Sequence, residues 1–370
     1  MAHLGLLPDE WEYTKVQGKS WNAFMKDNSG QPTIAELHSL NATFTKKIDA
    51  EFTPCPGIEL IQEYSPKDPE GGVVKTLFIP DAQIGYIWTG RMDYLEPMHD
   101  RAAMSAVWKL ASDLQPDRII ILGDMLDIAG AGTYELEPSY RQTLRPSIHE
   151  WGWWLMMLRE ACPYSEIDYF EGNHEKRLLR AMWGNQRSEE LWNLERAGED
   201  KPMFRLRELL HLDKLGVEYI APYGETKAYH DHKLYVGHGD KVKAGGGKTS
   251  SALVQSTSAS FHQGHIHKVE IAHRIHHDQP GTPMHSVASS GCLCRTDGAV
   301  PGYSRKQDYQ RGCGVAYYDE SSGALHQQVI PIHGHEPAHL YYGGKRYAGA
   351  EGDVLDSLVE WTGWKQFKRG

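Results

Sequence analysis

Five short stretches place cation-binding or proton-handling side chains directly behind apolar runs. They hold Asp81 and Gln83 in PDAQIG, Asp124 and Asp127 in GDMLD, Asn173 and His174 in GNHE, His238 in GHGD, and His265 with His267 in GHIH. Carboxylate, amide and imidazole donors without thiolate suit Mn, Fe, Zn or Mg rather than a structural zinc. A carboxylate shared by two such ions holds them about 3.5 to 4 Å apart, the spacing of two-metal hydrolysis. Taken alone, GNHE reads as a turn, with Gly172 and Asn173 leaving a strand and His174 the next exposed residue. Recurrence of the pattern at five apolar exits favours convergence on one site.

Such side chains meet only if the runs before them are strands that end at a common edge. VVKTLFIPDAQ, RIIILGDMLD, EIDYFEGNHE, HKLYVGHGD and SFHQGHIHK have the length and flanking Gly and Asp of buried strands. Between them, residues 93 to 114 predict a helix with Leu95, Met98, Ala102, Val107 and Leu110 on one stripe. SIHEWGWWLMMLREA predicts another, opened by a capping box from Ser147 to Glu150, with Trp151, Trp154, Leu155 and Leu158 in the core. The alternation indicates an α/β domain with its polar groups at one sheet edge. After residue 270, EIAHRIHH, PMHSVASSGC, GCGVAYYD and ALHQQVIPI read as strands of a second sheet packed on the first.

Three segments are expected: an N-terminal appendage over 1–70, a catalytic domain over 71–335 and a C-terminal tail over 336–370, partly ordered and basic. In the first, Ile34, Leu37, Leu40, Phe44 and Ile48 fall near helical spacing, and Thr33 and Glu36 suit a capping box. Two short helices around SLNA would form a helix-turn-helix.

The net charge of -10 over 370 residues excludes a chain coated in basic charge, so any polyanion site must be local. Cys55, Cys162, Cys292, Cys294 and Cys313 are odd in number and lack CxxC spacing, which predicts reduced thiols and a cytoplasmic setting. Core packing is the expected role of Cys292 and Cys294. The start MAHLGLLPDEWEY has no basic n-region, and no apolar run reaches membrane-spanning length, so neither signal peptide nor membrane span is expected. GGGKTS is not a phosphate loop, because Val242 stands where the first glycine would be required. The histidines of HRIHHD fall on an expected edge strand and receive no role.

From residue 81 to 267 the motif order resembles that of the calcineurin-like metallophosphoesterase superfamily: D-x-H, GDxxD, GNH[ED], a GH pair and GHxH, with Gln83 at the histidine of the first motif. The resemblance implies two packed mixed β-sheets flanked by helices. It also implies two divalent ions, the first on Asp81, Gln83, Asp124 and His267, the second on Asp124, Asn173, His238 and His265, with Asp124 as the bridge. Hydroxide held between the ions would attack phosphorus in line with the leaving oxygen, and His174, oriented by Asp127, would assist that oxygen. The D-x-Q variant resembles the manganese-dependent ADP-ribose and CDP-alcohol diphosphatase branch. A neutral amide oxygen at Gln83 weakens the first position and biases it toward Mn or Mg.

Substrate choice rests on basic clusters behind the motifs: Arg141 and Arg145; Lys176, Arg177 and Arg180; Lys241, Lys243 and Lys248. Together they would track a phosphate backbone, which predicts a phosphodiesterase acting on DNA, RNA or nucleotides, similar to the superfamily's repair nucleases. The plain alternative is solvated pairing with Glu135, Glu137, Glu171 and Glu175. A phosphomonoesterase or nucleotide diphosphatase is the second enzymatic reading. A DNA-binding module with a structural metal site is the reading of another class.

Overall fold

The computed structural model describes residues 11–26, 31–46, 64–65, 67–89, 93–129, 138–140, 142–183, 204–277, 284–297 and 308–368. The chain divides into two units, Met1–Pro54 and Cys55–Gly370. In the first, β1 (Trp11–Lys26) and β2 (Pro32–Lys46) pair antiparallel from Lys26↔Pro32 out to Trp11↔Lys46. This corrects the helical appendage and its helix-turn-helix. Between the strands the sequence Asp27-Asn28-Ser29-Gly30 is rich in turn formers, and Thr33, Ile34, Thr43 and Thr45 are β-branched. A partner strand in register outweighs the helical spacing of a few apolar residues. Residues 1–10 and 47–63, with Ile48 and Cys55, lie outside the described residues.

The second unit is built on two mixed sheets. One has six strands in the order β15 (Ala324–Pro331), β14 (Gly312–Asp319), β3 (Val73–Ile79), β6 (Arg118–Ile121), β7 (Glu166–Phe170) and β8 (Val217–Ile220). The run from β3 to β8 is parallel, while β14 and β15 pair antiparallel. The other sheet has five strands in the order β12 (Val269–Ile275), β13 (Met284–Ser290), β11 (Ser260–Gln263), β10 (Leu234–Gly237) and β9 (Thr226–Tyr229), with β10, β11 and β13 parallel. The strands after residue 270 therefore divide between both sheets rather than forming the second one alone.

Between the sheets, Phe78, Ile120, Leu122, Phe170 and Ala316 pack with Tyr229, Leu234 and Val236. Each fully buried side chain of this kind contributes about 1.5–3 kcal/mol. On the same inner surface His262 stacks on Phe78 at 3.7 Å and hydrogen-bonds Gln327 and Ser290. On the outer face of the six-stranded sheet lie α1 (Arg101–Leu114) and α2 (Leu144–Ala161), whose Trp151 meets Tyr169 edge-on at 5.9 Å. Cover on both faces explains the unbroken apolar run Ile119, Ile120, Ile121. Two packed mixed sheets flanked by helices is the expected fold.

Both helices start elsewhere than expected. Residues 94–97 form β5 (Tyr94–Pro97), paired with β4 (Tyr86–Thr89), and α1 begins after Asp100, whose carboxylate accepts from Ala103 N at 2.9 Å. Pro97 and this cap set the boundary. In α2, Ser147 lies inside the helix and donates to Thr143 O, so the capping box is not formed. Glu150 is instead fully buried, accepting from Tyr86, Arg101 and Trp154 and bonding His99. Trp151, Trp154, Leu155 and Leu158 are buried as expected.

The segment from 336 onward is not a loose tail. It forms a hairpin of β16 (Ala338–Tyr342) and β17 (Lys345–Gly349), then α5 (Gly352–Thr362). Arg101 pairs with Glu351 at 2.6 Å, Trp364 Nε1 donates to His149 at 3.0 Å, and Phe367 stacks on Tyr86 at 5.1 Å. Tyr347, Trp364 and Phe367 are buried, while Tyr341 faces solvent. Among the described residues no helix is long and apolar enough to cross a membrane.

Candidate metal centre

Each motif leaves the carboxyl end of a strand: Asp81 and Gln83 after β3, Asp124 and Asp127 after β6, Asn173 and His174 after β7, His238 after β10, His265 and His267 after β11. That edge is where open parallel sheets collect ligands. Gln83, Asp124, His265 and His267 all have left-handed backbone, with φ of 48°, 51°, 66° and 53°. For residues with a Cβ this costs roughly 1–2 kcal/mol each, and it persists only where neighbours enforce it. Here they do. Gln83 N donates to Asp124 O at 2.9 Å, and Ile84 N to Met125 O at 2.7 Å. His265 N reaches both Asp81 oxygens at 2.9 and 3.1 Å, and His174 N reaches Asp124 Oδ1 at 2.8 Å. Gly172 must be glycine, since a Cβ there would stand 2.1 Å from Asp124 Oδ1.

Two donor groups result. Asp124, His238 and His265 offer ligand atoms within 4.8 Å of one another, and Asn173 Oδ1 lies 3.1 Å from His238 Nε2. His238 Nδ1 donates to Leu122 O at 2.7 Å, which fixes the tautomer and turns Nε2 toward the carboxylate. In the second group, His267 Nε2 is 3.3 Å from Asp81 Oδ1 and 3.3 Å from the Gln83 amide nitrogen. A half-turn of that amide presents its oxygen to the same point. Burial would lower the His238 pKa, yet the charge and hydrogen bond of Asp124 carry it up to about 10. At His267 burial is likewise outweighed, by Asp81, and the pKa rises to about 9. Burial would raise the Asp124 carboxyl, but His174 and His238 hold it far below the usual range. The pocket thus favours positive charge, and buried oxygens and imidazoles are the donors a divalent cation takes. The expected ligands fit metal.

His174 stands apart from these groups. Its Nδ1 lies 2.9 Å from the Asp127 main-chain O and 3.2 Å from Asp127 Oδ1, so the carbonyl as well as the expected carboxylate stands beside the ring. Burial would lower its pKa, but Asp124 and Asp127 raise it. Arg177, an obligate donor, is 2.9 Å from His174 Nε2 and 3.0 Å from Asp127 O, an arrangement that requires a free lone pair on Nε2. A cation on Asp124 removes the main influence charging the ring, so the neutral form is the one this geometry holds.

The basic clusters do not act as one set. Arg177 turns inward, and Lys176 lies 5.3 Å over Tyr223, whose ring meets His238 edge-on at 5.7 Å. Arg180, Lys241, Lys243 and Lys248 are exposed. Arg145 lies 5.7 Å over Trp364, and Arg141, Glu135 and Glu137 are outside the described residues. At α4 (Lys248–Leu253) the Glu270 carboxylate accepts from Gly247 N and Ser250 N, so two of the GGGKTS amides are engaged within the fold.

Sequence reasoning missed Glu175, treated only as a solvated acid. It opens α3 (Glu175–Trp183), is buried, and accepts from the amides of Asp124, Met125, Leu126 and Gly172 and from Tyr169 OH at 2.7 to 3.1 Å. One carboxylate thereby holds both GDMLD and GNHE in place. Its position in the first helical turn was the available signal.

No protein-family model matches the chain, and no curated protein matches it in sequence. Among solved structures it is similar to the YfcE phosphoesterase of E. coli, at 12% identity and TM-score 0.27, over 69% of this chain and 99% of that one. It is similar to a metallophosphoesterase from Sphaerobacter thermophilus, at 12% identity and TM-score 0.31, over 79% and 94%. It is also similar to purple acid phosphatase PPD1 of yellow lupin, at 11% identity and TM-score 0.28, over 84% and 58%. What this chain does must be argued from its own side chains.

Proposed function

We propose that the chain is a binuclear metal-dependent phosphoester hydrolase of the calcineurin-like kind, acting on phosphodiesters of nucleic acids or nucleotides. The observation that carries this is the convergence of Gln83, Asp124, His265 and His267, all on left-handed backbone, around one buried pocket of oxygen and imidazole donors. Asp81, Gln83, Asp124 and His267 would hold one cation, and Asp124, Asn173, His238 and His265 the other, from among Mn, Fe, Zn and Mg. Two such ions supply a water deprotonated near neutral pH and screen charge on the phosphoryl group. His238 is kept aimed by Leu122 O, and Glu175 keeps the Asp124 loop from relaxing. His174 Nε2 and the Arg177 guanidinium, 2.9 Å apart, face the substrate phosphate as a pair. Arg177 would bind a phosphoryl oxygen, and His174 Nε2, freed from the guanidinium, would take up a proton from solvent and give it to the leaving oxygen.

Lys176 and Arg180 beside Tyr223, with exposed Lys241, Lys243 and Lys248, support the diester reading by offering charge to flanking phosphates. Arg177 beside His174 favours a second reading, a monoester, whose dianion suits a forked guanidinium. A cytoplasmic setting belongs to the same proposal, and free, buried Cys162, Cys292, Cys294 and Cys313 would suit it. The test is turnover of bis-p-nitrophenyl phosphate, p-nitrophenyl phosphate and single-stranded DNA with added Mn, with DNA binding followed against salt. Metal-dependent cleavage of the diester and of DNA is expected. Preference for the monoester without salt-dependent DNA binding would select the second reading, and turnover unaffected by chelator would reject both.

A further inference from the structure

Cys292 and Cys294, expected in the sequence as plain core residues, lie beside the first donor group. Their sulfurs and a ring nitrogen of His267 are within 4.8 Å of one another, and all three residues are buried. The Cys-Leu-Cys segment is fixed to the metal motif itself, since Leu293 N donates to Asp81 O at 2.7 Å. Cys292 N bonds Gln310 O at 2.9 Å, and the preceding Gly291, at φ 82°, could not carry a Cβ, which would meet Gln310 O at 2.3 Å. The Cys292 thiol donates to Gln310 O at 3.5 Å. His267 Nδ1 is buried without a hydrogen-bond partner among the described residues.

The other described cysteines show what plain packing looks like. Cys162 and Cys313 have thiols pushed up to about 12 by burial. Cys292 and Cys294 form a small cluster of their own, with Tyr309 packed against it and that ring 4.3 Å from His267.

We infer, on the reading of this pocket as a two-cation centre, that Cys292 supplies a thiolate to the cation position of Asp81, Gln83 and His267, which therefore takes a thiophilic ion such as Fe2+ or Zn2+ rather than Mn. Gln83 alone argues for a hard ion, and the sulfur beside it reverses that preference. Binding forms a metal–sulfur bond and releases the Cys292 thiol proton to solvent, with no change of oxidation state. Gln310 O would be given up by the sulfur as it takes the cation, and the Gly291 turn and the Leu293–Asp81 bond hold the backbone that carries Cys292 beside the position.

Titrating the full chain with Co2+ and recording its absorption tests this. The wild type should show a sulfur-to-cobalt charge-transfer band in the near ultraviolet beside the visible ligand-field bands. Cys292→Ser should lose the former, keep the latter and bind the first ion about 10- to 100-fold more weakly; Cys294→Ser and Cys162→Ser should keep the band. X-ray absorption of wild-type protein loaded with Zn2+ should show one sulfur scatterer at about 2.3 Å, independent of any variant's folding. Ligand-field bands without charge transfer, and no Zn–S scattering, would overturn the thiolate and leave the two-cation reading intact. A band lost in Cys294→Ser but retained in Cys292→Ser would overturn the assignment to Cys292. No cobalt or zinc binding at all would remove both this inference and the reading beneath it.

Discussion

The two ends of β10 carry the same residue type to opposite results. His230 precedes the strand, in a turn where His230, Asp231 and His232 have φ of 54°, 51° and 63°, and His238 follows it. His230 stacks on Tyr318 at 4.4 Å, and burial, with the charge of Arg118, pushes its pKa down to about 4. At His238 burial acts the same way but Asp124 wins, and the pKa stands at about 10. Left-handed backbone is common to both neighbourhoods, so strain alone does not mark a site. What separates them is convergence: at the carboxyl end several strands deliver carboxylates to one point, while at the amino end a single hairpin turns back.

Breaking the carboxyl end should have the largest consequence. Asp124→Asn is expected to lose most bound metal, measured by elemental analysis, and to lower turnover on the order of 10³-fold. His174→Ala should keep its metal and lose roughly 10²- to 10⁴-fold in turnover, and metal lost with it would place His174 among the ligands. Glu175→Gln should sit lower on that scale. One amide cannot accept what the carboxylate accepts from five donors, so metal affinity should fall about 10- to 100-fold, with stability down by roughly 2–4 kcal/mol in denaturant melts.

The pH dependence of stability sharpens the contrast, because the two ends of the strand predict opposite slopes. His230 and the fully buried His262 have folded pKa values lowered to about 4, so the unfolded chain binds their protons first. Stability of metal-free protein should therefore fall as pH drops from about 6.5 toward 4, by roughly 3 kcal/mol for His262. His238 and His267, raised to about 10 and about 9, stabilise below about 6.5, and that contribution is lost as pH rises through those values. Saturating metal should abolish the alkaline loss and leave the acid one, read as unfolding midpoints across pH. The smallest effect belongs to His230→Phe, which should weaken the acid slope and leave metal content and turnover within about twofold; a larger loss would mean that the amino end also serves the reaction.

Much of this site was legible in the sequence because strands that end in Gly and Asp announce where their side chains go. The α/β domain with its polar edge followed from those exits, while the choice of seven candidate ligands came from the resemblance in motif order. What escaped was set by partners distant in the chain. Glu150, expected in a capping box, and Glu175, expected as a solvated acid, are set instead by donors from residues 86, 101 and 124–126. Arg177 looked like an outward cation, and only its approach to Asp127 and His174 shows otherwise. The appendage misled for another reason: apolar residues at three- and four-residue intervals fit a helix, and backbone pairing with a strand not recognised as one decided against it.

The contact between Arg101 and Glu351 joins positions 250 residues apart, and Phe367 closes over Tyr86, three residues beyond Gln83. A ribosome makes the Asp81 loop early and the segment that braces its wall late. Until residue 351 emerges, Arg101 has only Glu150 as its carboxylate partner, and the Tyr86 ring lacks its cover. A nascent chain can then assemble the parallel strands well before it can finish the pocket. Chains stalled before residue 351 would present a formed sheet without these contacts, so the setting of Arg101 and Tyr86 waits on residues 351 to 367.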